Sequence, residues 1–201
     1  MANVQAVYSV GNSLERYLNH VLRTTPPPGL PKTTTIKLFS SGEMIEKDAP
    51  ADPTLSLYLY RITQNEHLRT SGNGDPLRYR VPLSVNLHYL MTAWSKSAES
   101  EQLLMAWAMR ELYMHPVLDK SALTNEGEWG AEDIVQIIPA ELSNEDIMRT
   151  WDSLGVGYRL SVSYIARVVR IDPEEKTIPD AVPVVASRFG YGRREDEPDE
   201  F

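Results

Sequence analysis

Apolar and polar positions alternate along the chain with two different periods, and the switches between periods mark its elements. Val4, Val7, Val10, Leu14, Tyr17, Leu18, Val21 and Leu22 recur every three or four positions, which predicts an amphipathic helix over residues 4–23. TPPPG at 25–29 stops it, because proline removes a backbone donor and disfavours helix in the residue before it. The stretch to residue 31 is predicted to be a semi-rigid extended spacer. Next, β-branched TTTIKLF (33–39) predicts a short strand and polar SSGEMIEKDAPADP (40–53) a loop.

From residue 54 the period becomes two. Leu55, Leu57 and Leu59 share one face, and Ser56, Tyr58, Tyr60 and Ile62 the other; large side chains on both sides predict a strand covered on both faces. VPLSVNLHYLMTAW (81–94) alternates again, with Leu83, Val85, Leu87, Tyr89 and Met91 opposite Ser84, Asn86, His88 and Leu90, the signature of a half-buried strand. Between the two lies SGNGDP (71–76), dense in turn-forming residues, so an antiparallel hairpin is expected. Arg69, Arg78 and Arg80 cluster around its tip as candidate partner contacts.

Helical spacing returns over residues 97–114, with Leu103, Leu104, Trp107, Ala108 and Leu112 on one face and Pro116 beyond the end. Met105, Met109 and Met114 read as core gap-fillers. IVQIIP (134–139) predicts a short strand closed by its proline. Ser143 and Asp146 form a capping-box pattern that opens a helix through Trp151. The longest strand is expected over 158–171, with Tyr158, Leu160, Val162, Tyr164, Ala166 and Val168 on one face. Arg159, Ser161, Ser163, Ile165, Arg167 and Val169 take the other, which is expected to meet solvent or another subunit in part. The expected fold is therefore α/β (α+β): a mixed, mainly antiparallel sheet flanked by helices, forming one domain over 1–178. Residues 179–201 form an extended arm whose Val182, Val184, Val185 and Phe189 lie exposed unless they dock, ahead of an acidic end.

Charge and composition narrow the function. The net charge is −8, of which residues 193–201 hold −3, an unfavourable balance for sequence-independent nucleic-acid binding. Absence of cysteine excludes thiolate catalysis, cysteine zinc sites and disulfides. With neither a signal-peptide pattern at the start nor an apolar run of spanning length, a soluble, intracellular setting without membrane insertion is expected. His20, His67, His88 and His115 have no metal-ligand spacing. GVGYRL (155–160) lacks the third glycine of a dinucleotide fingerprint and leads into a strand. Phosphate-loop and nucleophile-elbow motifs are missing. The expectation is a protein without catalytic residues, cofactor or metal; a hydrolase using the acids around Glu126, Glu132 and Asp133 is the remaining enzymatic alternative.

Three passages carry a family resemblance. They are LSLYLYRITQNEHLRT followed by DPLRYRVPLSVNLHYLMTAW, the helix end AMRELYMHPVL, and SNEDIMRTWDSLGVGYRLSVSYIARVVRID. Over residues 5–172 the chain resembles cap, or tail-terminator, proteins of extracellular contractile injection systems, the phage-tail-like particles of bacteria. The resemblance implies a homohexameric ring at the membrane-distal end of the inner tube, stopping tube polymerisation and holding the last sheath ring. Its partners would be itself, the inner tube protein and the sheath protein, after assembly in the bacterial cytoplasm. Sheath attachment by strand exchange would give the C-terminal arm a role on a neighbour. A tube- or baseplate-associated accessory, chaperone-like protein that forms no ring is the alternative, and a tail-completion protein of an ordinary phage-like element shares the same pattern.

Overall fold

The computed structural model describes residues 2–45, 50–65 and 82–172. Helix α1 (Ala6–Thr24) leads to strand β1 (Thr35–Phe39), the one-turn helix α2 (Ser41–Met44) and strand β2 (Thr54–Gln64). Strand β3 (Leu83–Trp94), helix α3 (Ala98–Met114), the two-residue strand β4 (Val117–Leu118) and strand β5 (Val135–Ala140) follow. Helix α4 (Asn144–Leu154) and strand β6 (Ser161–Ile171) complete the described part. The six strands form one sheet in the order β1-β2-β3-β6-β5-β4, antiparallel at every pairing except β1 with β2.

The helix ends obey local chemistry. The Ser97 hydroxyl accepts from the Ser100 N–H at the start of α3, and Ser143 does so from Asp146 at the start of α4. The α4 helix closes on Gly155 in the left-handed region (φ 68°), a conformation glycine adopts without cost; that accounts for the first glycine of GVG. The spacer after α1 is less extended than expected: the Leu30 N–H turns back to the Pro27 carbonyl, with Gly29 at φ 95°. The loop expected at 40–53 contains α2, which a full Ser40–Glu43 capping box holds in place. Its two reciprocal bonds satisfy backbone donors that so short a helix otherwise leaves open.

The sheet is covered on both faces. On the main face, Ala6, Val10, Leu14, Leu18 and Leu22 of α1 and Leu104, Met105, Trp107, Ala108 and Leu112 of α3 pack on the strands. The strands contribute Leu55, Leu57, Val85, Leu87, Tyr89, Met91, Val135, Ile137 and Ala166 to that core. A second, smaller cluster occupies the opposite face: Met44 from α2, Leu90 and Trp94 from β3, and Trp151 from α4, with Tyr58 and Tyr60 packed against it. Thus β3 is fully buried over its last six residues rather than half-buried.

Two bulges shift the expected faces. In the β2–β3 pair, Leu59 lies opposite Tyr89 but Arg61 opposite His88; the extra residue, Tyr60, turns Ile62 to the side of Leu87 and away from Tyr58. In the β3–β6 pair, Val85 meets Val169 and Leu87 meets Ala166. An extra residue in β6 therefore returns Val169 to the main core, where it is fully buried, although strict alternation puts it with the arginines. Pro139 lies inside β5, opposite Tyr164, rather than closing the strand. Two residues earlier the Ile137 N–H points outward to the Pro116 carbonyl. Pro139 shares that outward orientation, where among the described residues no strand requires a donor.

Candidate assembly surfaces

Arg69, Arg78 and Arg80, and Val182, Val184, Val185 and Phe189, all lie outside the described residues. The hairpin that carries the three arginines stays paired to the limit of the description: the Asn65 N–H donates to the Ser84 carbonyl at 2.8 Å. Ile62 and Leu83 are exposed at that end of the sheet.

The two sheet edges differ. Helix α1 lies along the β1 edge and offers it side-chain partners in place of another strand. Asn19 Oδ1 accepts from the Ile36 N–H (3.1 Å), and Asn19 Nδ2 donates to the Ile36 carbonyl (2.8 Å). One turn earlier on the helix, Glu15 Oε2 accepts from the Leu38 N–H (2.9 Å). Ile36 and Leu38 are the residues whose backbone groups face away from β2, so α1 blocks strand addition there. At the other edge, β4 pairs only with Gln136 and Val135 of β5.

A polar latch fixes the 119–129 loop to α1. Ser9 and Ser13 replace large residues on the helix face toward the loop, and both are fully buried. The Thr124 N–H and Trp129 Nε1 donate to the hydroxyls of Ser13 (2.8 Å) and Ser9 (2.9 Å), and Ser9 Oγ also donates to the Thr124 carbonyl. At Gly127 a Cβ would fall within contact distance of Trp129 Nε1 and of Ser9 Oγ, so this turn requires glycine. Two of the acids considered for hydrolysis make local structural bonds. Asp133 accepts from the Gly130 N–H (2.6 Å) and exposed Glu126 accepts from Asn12 (3.4 Å). Among the described residues, none of the His, Asp and Glu side chains group so as to hold a metal.

On the second face, Trp94 Nε1 donates to buried Ser56 Oγ (2.8 Å), and its ring meets Trp151 edge-on, with centroids 6.3 Å apart. The Arg159 guanidinium caps the Trp94 ring at 4.5 Å, a cation–π contact that covers this small core from outside. His88 lies between Tyr60 and the Thr63 hydroxyl, which is 2.9 Å from Nε2. Burial, with Arg61 nearby, lowers its pKa below the usual imidazole value.

Two grooves run along α1. One, of about 610 Å³, is apolar and lies between the start of the helix and the sheet, lined by Val4, Tyr8, Gly11, Leu38 and Leu59 among others. The other, of about 670 Å³, is polar and includes Arg16, His20, Arg23 and Lys120. Glu15 lines both. Val4 is 67% exposed although its spacing predicts a place in the buried stripe, and Tyr8, one turn on, is 61% exposed; the core takes Ala6, together with the expected Val10. A further apolar surface ends α3. Met105 fills the core as expected, but Met109 and Met114 do not: they are exposed beside Tyr113 (82%) and Val117. Among the described residues no helix is long and apolar enough to cross a membrane.

Sequence and fold comparisons agree with this picture. Residues 9–186 match the Pvc16 N-terminal domain family. No curated protein matches the sequence. Among solved structures, one similar chain is the PVC sheath/tube terminator of an extracellular contractile injection system in its extended state. The two share 19% identity at a TM-score of 0.55, over 93% of this chain and 65% of that one. Another is the tube-terminating cap of the anti-feeding prophage, at 20% identity and a TM-score of 0.53, over 95% of this chain and 62% of that one. At such identities the likeness is one of fold, and the present chain spans less than two thirds of either neighbour.

Proposed function

The chain belongs to the Pvc16 N-terminal domain family, and from that premise we propose that it is a structural cap of a contractile injection particle. In this reading it forms a homohexameric ring that ends inner-tube polymerisation and anchors the last sheath ring at the distal end of the particle. Its likeness in fold to two terminator proteins over nearly its whole length carries the reading. The β1 edge supports it physically. A terminator must bind one end of a polymer and offer no site for the next subunit, and Asn19 and Glu15 occupy the backbone groups of β1 that could template another strand.

Closed rotational symmetry satisfies the same requirement, since each copy in a ring covers its neighbour's contact surface. The exposed Tyr113, Met114 and Val117 are the surface we assign to contact between copies. Arg69, Arg78 and Arg80 are assigned to acidic tube or sheath surfaces. Each such exposed pair contributes about 0–1 kcal/mol, so six copies acting together matter more than any one pair. The role is mechanical and uses no cofactor, metal, nucleic acid or membrane insertion.

The mass of the purified protein, measured by light scattering after size exclusion in the presence and absence of inner-tube subunits, tests the ring. A species of six 22.7 kDa chains, alone or on tube ends, is expected. A persistent dimer or trimer that ignores tube ends contradicts it and favours an accessory protein.

A further inference from the structure

We propose that the C-terminal segment of this chain docks along its own α1 helix, with residues 182–189 in the apolar groove and the acidic end over the basic one. The inference concerns the isolated chain and stands independently of the cap reading.

Chain exit comes first. At the end of β6 the Asp172 N–H donates to the Ala2 carbonyl at 2.8 Å, so the chain leaves the described structure beside the start of α1. Val4, at the mouth of the apolar groove, is two residues from that bond. Residue 182 follows ten positions after Asp172, a reach of roughly 30 Å at about 3.3 Å per extended residue. The helix rises only about 1.5 Å per residue, so Ala2 to Gly11 spans roughly 14 Å. The segment can reach any part of the groove.

Chemical order comes second. Along α1 the surface reads apolar at Val4 and Tyr8, acidic at Glu15, then basic at Arg16, His20 and Arg23. Glu43, across the groove mouth, is held ionised by bonds from the Ser40 backbone and hydroxyl, which lower its pKa. The segment carries the complementary series in the same direction. Val182, Val184 and Val185 come first, then Arg188, then Arg193 and Arg194 with the five acids of residues 195–200, an end that is net acidic. Valines and Phe189 would cover the apolar surface that Val4 and Tyr8 leave open. Arg188 would meet Glu15 and Glu43, and the acidic end would meet Arg16, Arg23 and Lys120.

Because the chain has no cysteine, cross-linking tests the placement in the full-length protein. Tyr8→Cys with Val185→Cys is compared with Arg149→Cys and Val185→Cys, the latter pair starting from an exposed position on α4, using a short bismaleimide at low protein concentration. Intramolecular cross-linking at least fivefold faster for the Tyr8 pair is expected, and Val182→Asp with Val184→Asp in the same chain should abolish that advantage. For the acidic end, His20→Cys with Asp199→Cys should cross-link faster at low than at high salt. Equal rates for the Tyr8 and Arg149 pairs overturn the proposal. Cross-links found only between chains overturn it too, since the segment then occupies another copy's groove. Salt-independent linkage at His20 removes the acidic end from the basic groove.

Discussion

Removing the two α1 side chains that close the β1 edge should both weaken the fold and open it to strand pairing. Asn19→Ala loses two neutral hydrogen bonds to Ile36, worth about 0.5–1.5 kcal/mol each. Alanine returns roughly 0.5 kcal/mol of helix propensity, leaving a net loss of about 0.5–2.5 kcal/mol. Adding Glu15→Ala removes the bond from the Leu38 N–H to a carboxylate, and bonds to charged groups contribute about 1.5–3 kcal/mol. Water reaches these half-buried positions and offsets part of the loss, so the double variant should be destabilised by about 2–4 kcal/mol. With a urea dependence of about 1–3 kcal/mol/M, its unfolding midpoint, followed by circular dichroism, should fall by roughly 1–2 M. Asn19→Asp is the informative control. It keeps the acceptor for the Ile36 N–H but sets a carboxylate against the Ile36 carbonyl, and should therefore cost more than a single lost bond. Above its folding threshold the double variant should also scatter light in a concentration-dependent way, because Ile36 and Leu38 would present free backbone groups. An unchanged midpoint together with concentration-independent scattering would refute the edge argument.

Two further outcomes follow from the second face of the sheet. Trp94→Phe loses the indole bond to buried Ser56, whereas Trp151 Nε1 is buried without a hydrogen-bond partner among the described residues. Comparable ring volume is lost in each, so urea unfolding should show Trp94→Phe costing about 1 kcal/mol more than Trp151→Phe; the reverse order would contradict the assigned bonding. At His88, burial and Arg61 lower the folded-state pKa, so the unfolded chain takes up its proton first as pH falls. Stability from this group is complete above the unfolded value of about 6.5 and is lost as pH drops through the window between that value and the folded one. Unfolding midpoints at pH 7.5 and 5.5 should therefore differ less in His88→Gln than in the parent.

Elements with a long, consistent period and a cap were legible in the sequence. Helix α3 follows from its apolar face and α4 from Ser143 and Asp146; β2 and β3 follow from alternation. What escaped depends on contacts rather than pattern. Strand β4 is two residues defined only by pairing with β5. The capping box of α2 was visible as Ser40 and Glu43, but no apolar run followed it. The bulges at Tyr60 and between Ala166 and Val169 reset the alternation, and period two carries no mark of such a reset. Burial of Trp94 and Trp151 reveals a second core that their isolated positions did not announce. Among the surfaces, Asn19 and Glu15 are one helical turn apart, the only local sign of their role; it takes β1 beside α1 to make them an edge lock. Val4 looks like core from its spacing and becomes, with Tyr8, a groove wall only once α1 is seated.

The length distribution of particles from cells lacking this chain, imaged by electron microscopy with the gene restored as control, tests the cap most directly. Inner tubes of irregular length with frayed or missing sheath at one end are expected, returning to a single length with a closed end on restoration. Particles of normal, uniform length with both ends intact would contradict it.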